Sequence, residues 1–75
     1  MKLWEYEGKR VRIASAEGRV FIGLADIFSY ADDNESGVNS LLFETDDGLF
    51  IEIEETEIAS IEIIPESMQN MAVAV

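Results

Sequence analysis

Apolar and polar residues alternate along most of this chain, and turn-forming residues divide the alternation into five short segments. Successive side chains of a β-strand point to opposite faces, so alternation with this period predicts strands rather than helices. The predicted strands are 9–15, 18–30, 38–45, 49–54 and 58–64. Residues 1–7 are too few to distinguish a helical turn from an extended arm, and we place a short helix there because Gly8 follows. Five closely spaced antiparallel strands predict a small all-β barrel.

The second predicted strand is apolar on both of its faces. Strict alternation puts Val20, Ile22, Leu24 and Phe28 on one face, and Phe21, Ala25 and Ile27 on the other. A strand with two apolar faces has to be covered on both sides. Gly23 lies in the middle of it, where the missing side chain allows a sharp bend. We therefore expect a long, strongly bent strand that serves both halves of the barrel.

The segments between the strands have the composition of turns. Asp46-Asp47-Gly48 separates two apolar segments and predicts a two-residue hairpin loop, and residues 31–37 are rich in turn-forming types. Pro65 ends the fifth strand, so we assign residues 1–64 to one barrel domain and 65–75 to a C-terminal tail. Two alternatives stay open for the tail, namely disorder or ordering against a neighbouring subunit. We expect Trp4 to cover an open end of the barrel.

The composition limits how such a small domain can be stabilised. A chain of 75 residues buries only about 60% of its unfolded surface. Cysteine and histidine are absent, which removes disulfides and the commonest soft metal ligands. Burial between subunits is then the remaining source of stability. No apolar segment reaches the roughly 20 residues of a membrane span and no apolar leader opens the chain, so we expect a cytoplasmic protein without membrane contact.

Charge is distributed unevenly along the chain, whose net charge is −11. Residues 1–23 hold all five basic residues and three acidic ones, whereas residues 24–75 hold thirteen acidic residues and no basic one. Three interpretations are open: a solvated acidic surface, a surface that binds another molecule, or contacts between the basic end of one copy and the acidic end of the next.

The glycine and apolar positions resemble those of the Sm-like (LSm) family, as a divergent member, over residues 3–64. The matching residues are Gly8-Lys9-x-Val11-x-Ile13, Gly18-Arg19-x-Phe21-x-Gly23 and Ile58-x-x-Ile61. The resemblance implies a five-stranded SH3-like barrel with a short N-terminal helix. It also implies a homo-oligomeric ring of five to seven subunits, in which the fourth strand of one copy pairs with the fifth strand of the next. Many members of the family bind single-stranded RNA inside the ring.

The chain departs from the family pattern at its two motifs. Ser29 stands where the first motif normally has aspartate, and either Asn34 or Asn39 stands for the asparagine that follows. The second motif normally ends in an apolar residue followed by Arg-Gly, whereas this chain has Ile53-Glu54-Glu55. A carboxylate thus replaces the arginine that would meet a base or a phosphate. The resemblance supports the fold and the ring more than RNA binding.

RNA binding depends on basic residues that neutralise phosphates, and here these lie in the first strand and the turn after it. Tyr30 would add a ring on which a base could stack. The candidate RNA-binding residues are Arg10, Arg12, Arg19, Tyr30, Asn34 and Asn39. Arg10 and Arg12 could equally pair with glutamates on an adjacent strand.

Enzymatic and metal chemistry have little support in the sequence. Without histidine or cysteine, a catalytic base or nucleophile would have to be a carboxylate, lysine, serine or tyrosine. Adjacent carboxylates on a strand point to opposite faces, and no phosphate-binding loop or nucleophile elbow is present. Residues 32–35 carry four oxygen-bearing side chains, but not with the spacing of a calcium loop. We predict no enzymatic activity, no metal and no cofactor.

The two isoleucine-rich strands near the C-terminus lie at the edges of the predicted barrel. No lysine or proline interrupts them, and unblocked apolar edges tend to pair with another strand. The predicted oligomer interface consists of Phe50, Ile51, Ile53, Ile58, Ile61 and Ile63. The alternative is that residues 1–7 or the tail cover one edge within the monomer. The leading hypothesis is a ring-forming scaffold or protein-interaction module, with a basic protein as a candidate partner, and the alternative is single-stranded RNA binding.

Overall fold

The computed structural model describes residues 1–65 as one bent, five-stranded antiparallel sheet that does not close into a complete barrel. The strands are β1 (Arg10–Ser15), β2 (Val20–Ser29), β3 (Ser40–Thr45), β4 (Phe50–Glu54) and β5 (Ile58–Ile63). Three short 3-10 turns accompany them, at Leu3–Tyr6, Ala31–Asp33 and Glu55–Glu57. The all-β, bent antiparallel fold is thus confirmed, and the expected N-terminal helix is a single 3-10 turn. The predicted tail lies outside the described residues, except for Pro65.

The long second strand is shared between the two halves of the sheet, as predicted, but the expectation that both of its apolar faces are covered is wrong, since Val20, Ile22 and Ile27 are 50%, 41% and 50% exposed. Residues 20–24 of β2 pair with β1, and residues 23–29 pair with β3. The resulting strand order is β4-β3-β2-β1-β5. Because β2 lies in the centre, β4 and β5 are the two ends of the sheet.

A bulge in β2 changes the faces that simple alternation assigns. The register with β3 shifts between Ala25 and Ile27, which leaves Asp26 as the extra residue. Phe28 therefore lies opposite the buried Leu41 and packs against the core, on the same side as Ala25. The sequence-based assignment of Phe28 and Ile27 is wrong, because one inserted residue exchanges the faces of all those that follow.

The inner face of the sheet forms one apolar core. Phe43 is fully buried there and contacts Phe21 edge to face, with 6.5 Å between ring centroids. The buried apolar residues are Leu3, Val11, Ile13, Ala25, Leu41, Phe43, Ile53 and Ile58. Leu3, not Trp4, covers the core from the N-terminal turn: Leu3 is fully buried, whereas Trp4 is 50% exposed. The expectation that Trp4 covers the barrel end is wrong, because the adjacent Leu3 occupies that position.

The β3–β4 hairpin has a three-residue loop instead of the predicted two-residue loop. The Gly48 amide donates to the Thr45 carbonyl at 2.9 Å, and the Thr45 amide donates to the Leu49 carbonyl at 2.8 Å. Gly48 has a φ of 86°, and no non-glycine residue of the described chain has a positive φ. The two-residue type I′ loop needs positive φ at both central positions, so a turn with a glycine bulge forms instead.

Candidate functional site

The outer edge of β4 presents free backbone groups to solvent. The first bond of the β3–β4 ladder joins Thr45 to Leu49, and the last runs from the Glu55 amide to the Asn39 carbonyl at 2.8 Å. Hydrogen-bonded and non-bonded pairs alternate between these ends, so Phe50 and Glu52 direct their amides and carbonyls away from β3. The outward amide of Glu54 already donates to the Glu57 carboxylate, at 2.9 Å. The available edge of β4 is therefore Phe50 to Glu52.

The outer edge of β5 is available in the same way. The Ile64 amide donates to the Arg10 carbonyl at 2.9 Å, which identifies this pair as one of the bonded pairs between β5 and β1. By alternation, Ile61 and Ile63 direct their backbone groups away from β1. The two ends of the sheet thus each carry a row of donors and acceptors without a partner strand in the described part of the chain.

The six residues predicted for the oligomer interface occupy three different environments. Phe50 and Ile63 are exposed, at 58% and 49% of their surface. Ile51 and Ile61 are half-buried and pack against the core. The other two side chains, Ile53 and Ile58, are 5% and 7% exposed and belong to the core of their own domain. Only the first four side chains are in a position to contact a second copy.

Two of the candidate RNA-binding arginines are paired with carboxylates. Arg10 contacts Asp46 of the β3–β4 loop at 2.6 Å, and Arg12 contacts Glu62 of β5 at 3.1 Å. The hydrogen bond from Arg10 to Asp46 holds the pKa of this guanidinium above its ordinary value. Arg19 lies in the exposed β1–β2 turn and forms no ion pair within residues 1–65.

The two candidate asparagines shape the loop between β2 and β3. The side-chain oxygen of Asn39 accepts a hydrogen bond from the Ala31 amide at 2.7 Å. The Asn34 side chain donates to the Val38 carbonyl at 2.7 Å and to the buried Ser40 hydroxyl at 3.1 Å. The Asn34 donors and the Asn39 oxygen are occupied within the loop, so both asparagines have a structural role that the sequence alone does not assign.

A cavity of about 320 Å³ lies where the sheet fails to close, between the β1–β2 turn and β4. Its apolar lining includes Phe21, Ile51 and Ile53. Its polar lining includes Arg19 and glutamates of the β1–β2 turn, β4 and the third 3-10 turn. The cavity follows from the open topology, since a closed barrel would have a strand beside β4 at this point.

Three aromatic rings form a surface that sequence analysis missed as a group. Phe28 contacts Trp4 and Tyr30 edge to face, at centroid distances of 6.2 and 4.8 Å. Tyr30 is 62% exposed. We call Trp4, Phe28 and Tyr30 the aromatic surface. The two-residue spacing of Phe28 and Tyr30 is a signal for a shared strand face, but nothing in the sequence places Trp4 beside them.

Comparisons with protein-family models, curated proteins and solved structures found no match to this chain. Within residues 1–65, no group of three or more acidic side chains is arranged to hold a metal ion. The same residues contain no helix of the length and hydrophobicity needed to cross a membrane.

Proposed function

We propose that this chain is a non-enzymatic Sm-like module that assembles into a homo-oligomeric ring and serves as a scaffold or protein-interaction unit. In the proposed ring, β4 of one copy pairs with β5 of the next. The resemblance in the Gly8-Lys9-x-Val11 and Gly18-Arg19-x-Phe21-x-Gly23 segments supports a ring of five to seven subunits. The observation that carries the proposal is the presence of two unpartnered edges at opposite ends of one sheet, within residues 1–65.

The two edges carry few of the features with which monomeric proteins prevent pairing, and the bulge of β5 lies at Ala59, before the outward backbone groups of Ile61 and Ile63. Natural edge strands are usually protected by lysine, proline, a bulge or a covering segment. Neither lysine nor proline occurs in β4 or β5. Because the two edges differ, their contact is heterologous, and a heterologous contact that closes on itself forms a ring.

The half-buried side chains of the edges support the same contact. Ile51 lies opposite the buried Phe43, and Ile61 lies opposite the buried Ile13, so both point to the core side of the sheet. Pairing of β4 with β5 would place these isoleucines beside each other and make the cores of neighbouring copies continuous. Burial of a large apolar side chain stabilises by about 1.5–3 kcal/mol, which is a large contribution for so small a domain.

Single-stranded RNA binding is the alternative function, and the ion pairs weigh against it. A phosphate would have to compete with Asp46 for Arg10 and with Glu62 for Arg12. The net charge of −11 also repels a polyanion, since affinity for nucleic acids comes largely from unpaired basic residues. These observations favour a protein partner.

Light scattering after size-exclusion chromatography tests the assembly directly. The expected result is a single species of five to seven subunits at micromolar concentration. Phe50→Pro removes an outward amide of β4 that has no partner within residues 1–65, so the variant should fold and lose the oligomer. Phe50→Ala is the matched control, because it removes the same ring and keeps the amide. A folded, monomeric unmodified chain would overturn the proposal.

A further inference from the structure

The aromatic surface exposes large rings of a kind that proteins usually bury. Trp4 and Tyr30 expose 50% and 62% of their surface, and the half-buried Phe28 between them links them to the core. Edge-to-face contacts with Phe28 fix the orientation of both outer rings. A contiguous exposed group of this kind marks a binding surface more often than single exposed apolar residues do.

The backbone holds the three rings in place before any partner binds. Phe28 is paired with Leu41 of β3, and its amide donates to the Glu7 carboxylate at 2.7 Å. The Tyr30 carbonyl accepts a hydrogen bond from the Asp33 amide at 3.0 Å. The 3-10 turn that carries Trp4 is anchored by the buried Leu3. A rigid surface loses little conformational entropy on binding.

The chain segments that carry the three rings are acidic. Exposed carboxylates flank the rings along the chain, from Glu5 and Glu7 on the Trp4 side and from Asp32 and Asp33 on the Tyr30 side. Together, residues 2–7 and 28–35 hold five acidic residues and one lysine. Aromatic faces attract guanidinium and ammonium groups, and the surrounding carboxylates attract the same cations.

We propose that the aromatic surface binds a basic, extended segment of a partner protein, with arginine side chains placed over the faces of Trp4 and Tyr30. Charge complementarity selects this occupant over an acidic or nucleic-acid ligand. The inference deepens the proposed function, and it rests on that function only in requiring a protein partner. It does not require the ring, because all three rings and their flanking carboxylates belong to one copy.

Trp4 is the only tryptophan of the chain, so its fluorescence reports binding at the aromatic surface. We would titrate the protein with a short unstructured peptide of alternating arginine and glycine, and follow Trp4 fluorescence and heat release. The control peptide replaces each arginine by glutamine. Saturable binding of the arginine peptide alone is expected. Absence of binding, or equal binding of the glutamine peptide, would overturn the inference.

Variants separate the rings from general electrostatic attraction. Tyr30→Leu keeps an apolar side chain and removes the π face, so it should weaken binding roughly two- to fivefold, and Tyr30→Phe should restore it. Leu49→Ala is the control, because Leu49 is an equally exposed apolar residue outside both the aromatic surface and the proposed oligomer interface. If Leu49→Ala weakens binding as much as Tyr30→Leu, the site assignment is wrong.

An RNA titration and light scattering on the same samples test the inference further. A uridine-rich RNA that quenches Trp4 more strongly than the arginine peptide does, in a manner lost in Tyr30→Leu, would also contradict the inference. Light scattering reports the oligomeric state separately. A monomer that still binds the arginine peptide through Tyr30 would leave this inference standing while the proposed ring fails.

Discussion

Gly23 of β2 lies so close to Glu44 of β3 that a Cβ atom at position 23 would collide with the Glu44 carbonyl oxygen. That Cβ would also lie 3.0 Å from the Glu44 carbonyl carbon and the Thr45 Cα. Gly23 and Leu24 pair with both β1 and β3, so the central strand passes from one half of the sheet to the other at these two residues. The close approach of β2 to β3 at this position thus depends on a missing side chain.

Gly23→Ala should destabilise the fold by about 2 kcal/mol or more, because the obstructing atoms are backbone and cannot move like a flexible side chain. Chemical denaturation followed by circular dichroism measures the change. Gly18→Asn is the control: a Cβ at position 18 would have no described atom within 4 Å beyond its chain neighbours, and asparagine tolerates the positive φ of 91° found there. Equal stability of Gly23→Ala and the unmodified chain would contradict the proposed role of the close approach.

Leu3 and Trp4 are adjacent but should differ sharply in their contribution to stability. Leu3→Ala removes a fully buried side chain and should cost about 2–5 kcal/mol, which approaches the whole stability of a small domain. Trp4→Ala removes a half-exposed ring and should cost much less. Thermal melts of the two variants make the comparison, and a larger loss for Trp4→Ala would restore Trp4 as the residue that covers the core.

The strands can be predicted because their signals are local. Alternating apolar residues identify each strand, and glycine and acidic residues mark the turns at Gly18 and Gly48. The bulge at Asp26 cannot be predicted in this way, because one unpaired residue leaves no trace in an otherwise apolar segment. Strict alternation therefore puts Phe28 on the wrong face, and the aromatic surface is missed with it.

Site residues are harder to predict than strands, because their environment depends on distant partners. Arg10 and Arg12 are basic in the sequence, but Asp46 and Glu62 engage them from strands and loops far along the chain. Asn34 and Asn39 are candidates for an RNA motif by sequence, and the structure uses both to organise a loop. A single sequence gives the chemistry of a side chain and not the group that it contacts.

The Arg10–Asp46 pair should contribute slightly more to stability than the Arg12–Glu62 pair, because it is shorter and less exposed. We expect Arg10→Gln to lower the free energy of unfolding by about 0.2–1 kcal/mol, as is usual for surface ion pairs, and Arg12→Gln to lower it by less. Denaturation at low salt and at about 1 M salt measures both, and the differences should shrink at high salt. A loss for Arg12→Gln that exceeds the loss for Arg10→Gln would reverse this ranking.

The pH dependence of the Arg10 contribution follows from its raised pKa. The folded state binds the Arg10 proton more tightly than the unfolded state, so this stabilisation is complete below the ordinary arginine pKa and is lost only as pH rises through the folded value. The difference between Arg10→Gln and the unmodified chain should therefore stay constant over about pH 6 to 9. If this stability difference falls within that pH range, a titrating group other than Arg10 determines the strength of the Arg10–Asp46 ion pair.

Short uridine- and adenine-rich RNAs should bind weakly or not at all, even at low salt. The paired arginines and the acidic surface leave few free cations for phosphates. Fluorescence anisotropy with labelled RNA is the measurement, and Arg10→Glu with Arg12→Glu is the comparison variant. Salt-sensitive micromolar binding that this double variant abolishes would favour the RNA-binding alternative over the scaffold proposal.

The two edges of the sheet should be complementary to each other and not to themselves. Phe50→Pro blocks β4 and leaves β5 open, whereas Ile63→Pro blocks β5 and leaves β4 open, since the amides of both residues point away from their neighbouring strands. Each variant alone should be monomeric. A mixture of the two should form one-to-one dimers and stop there, because the only remaining edges are blocked.

Light scattering of the mixture, with one variant isotopically labelled for native mass spectrometry, identifies the composition of the dimer. The corresponding pair Phe50→Ala and Ile63→Ala keeps both amides and should still form rings larger than dimers. Dimers of a single proline variant would mean that an edge pairs with its own kind. A mixture that stays monomeric would mean that β4 and β5 do not meet, and the assembly would then need a different surface.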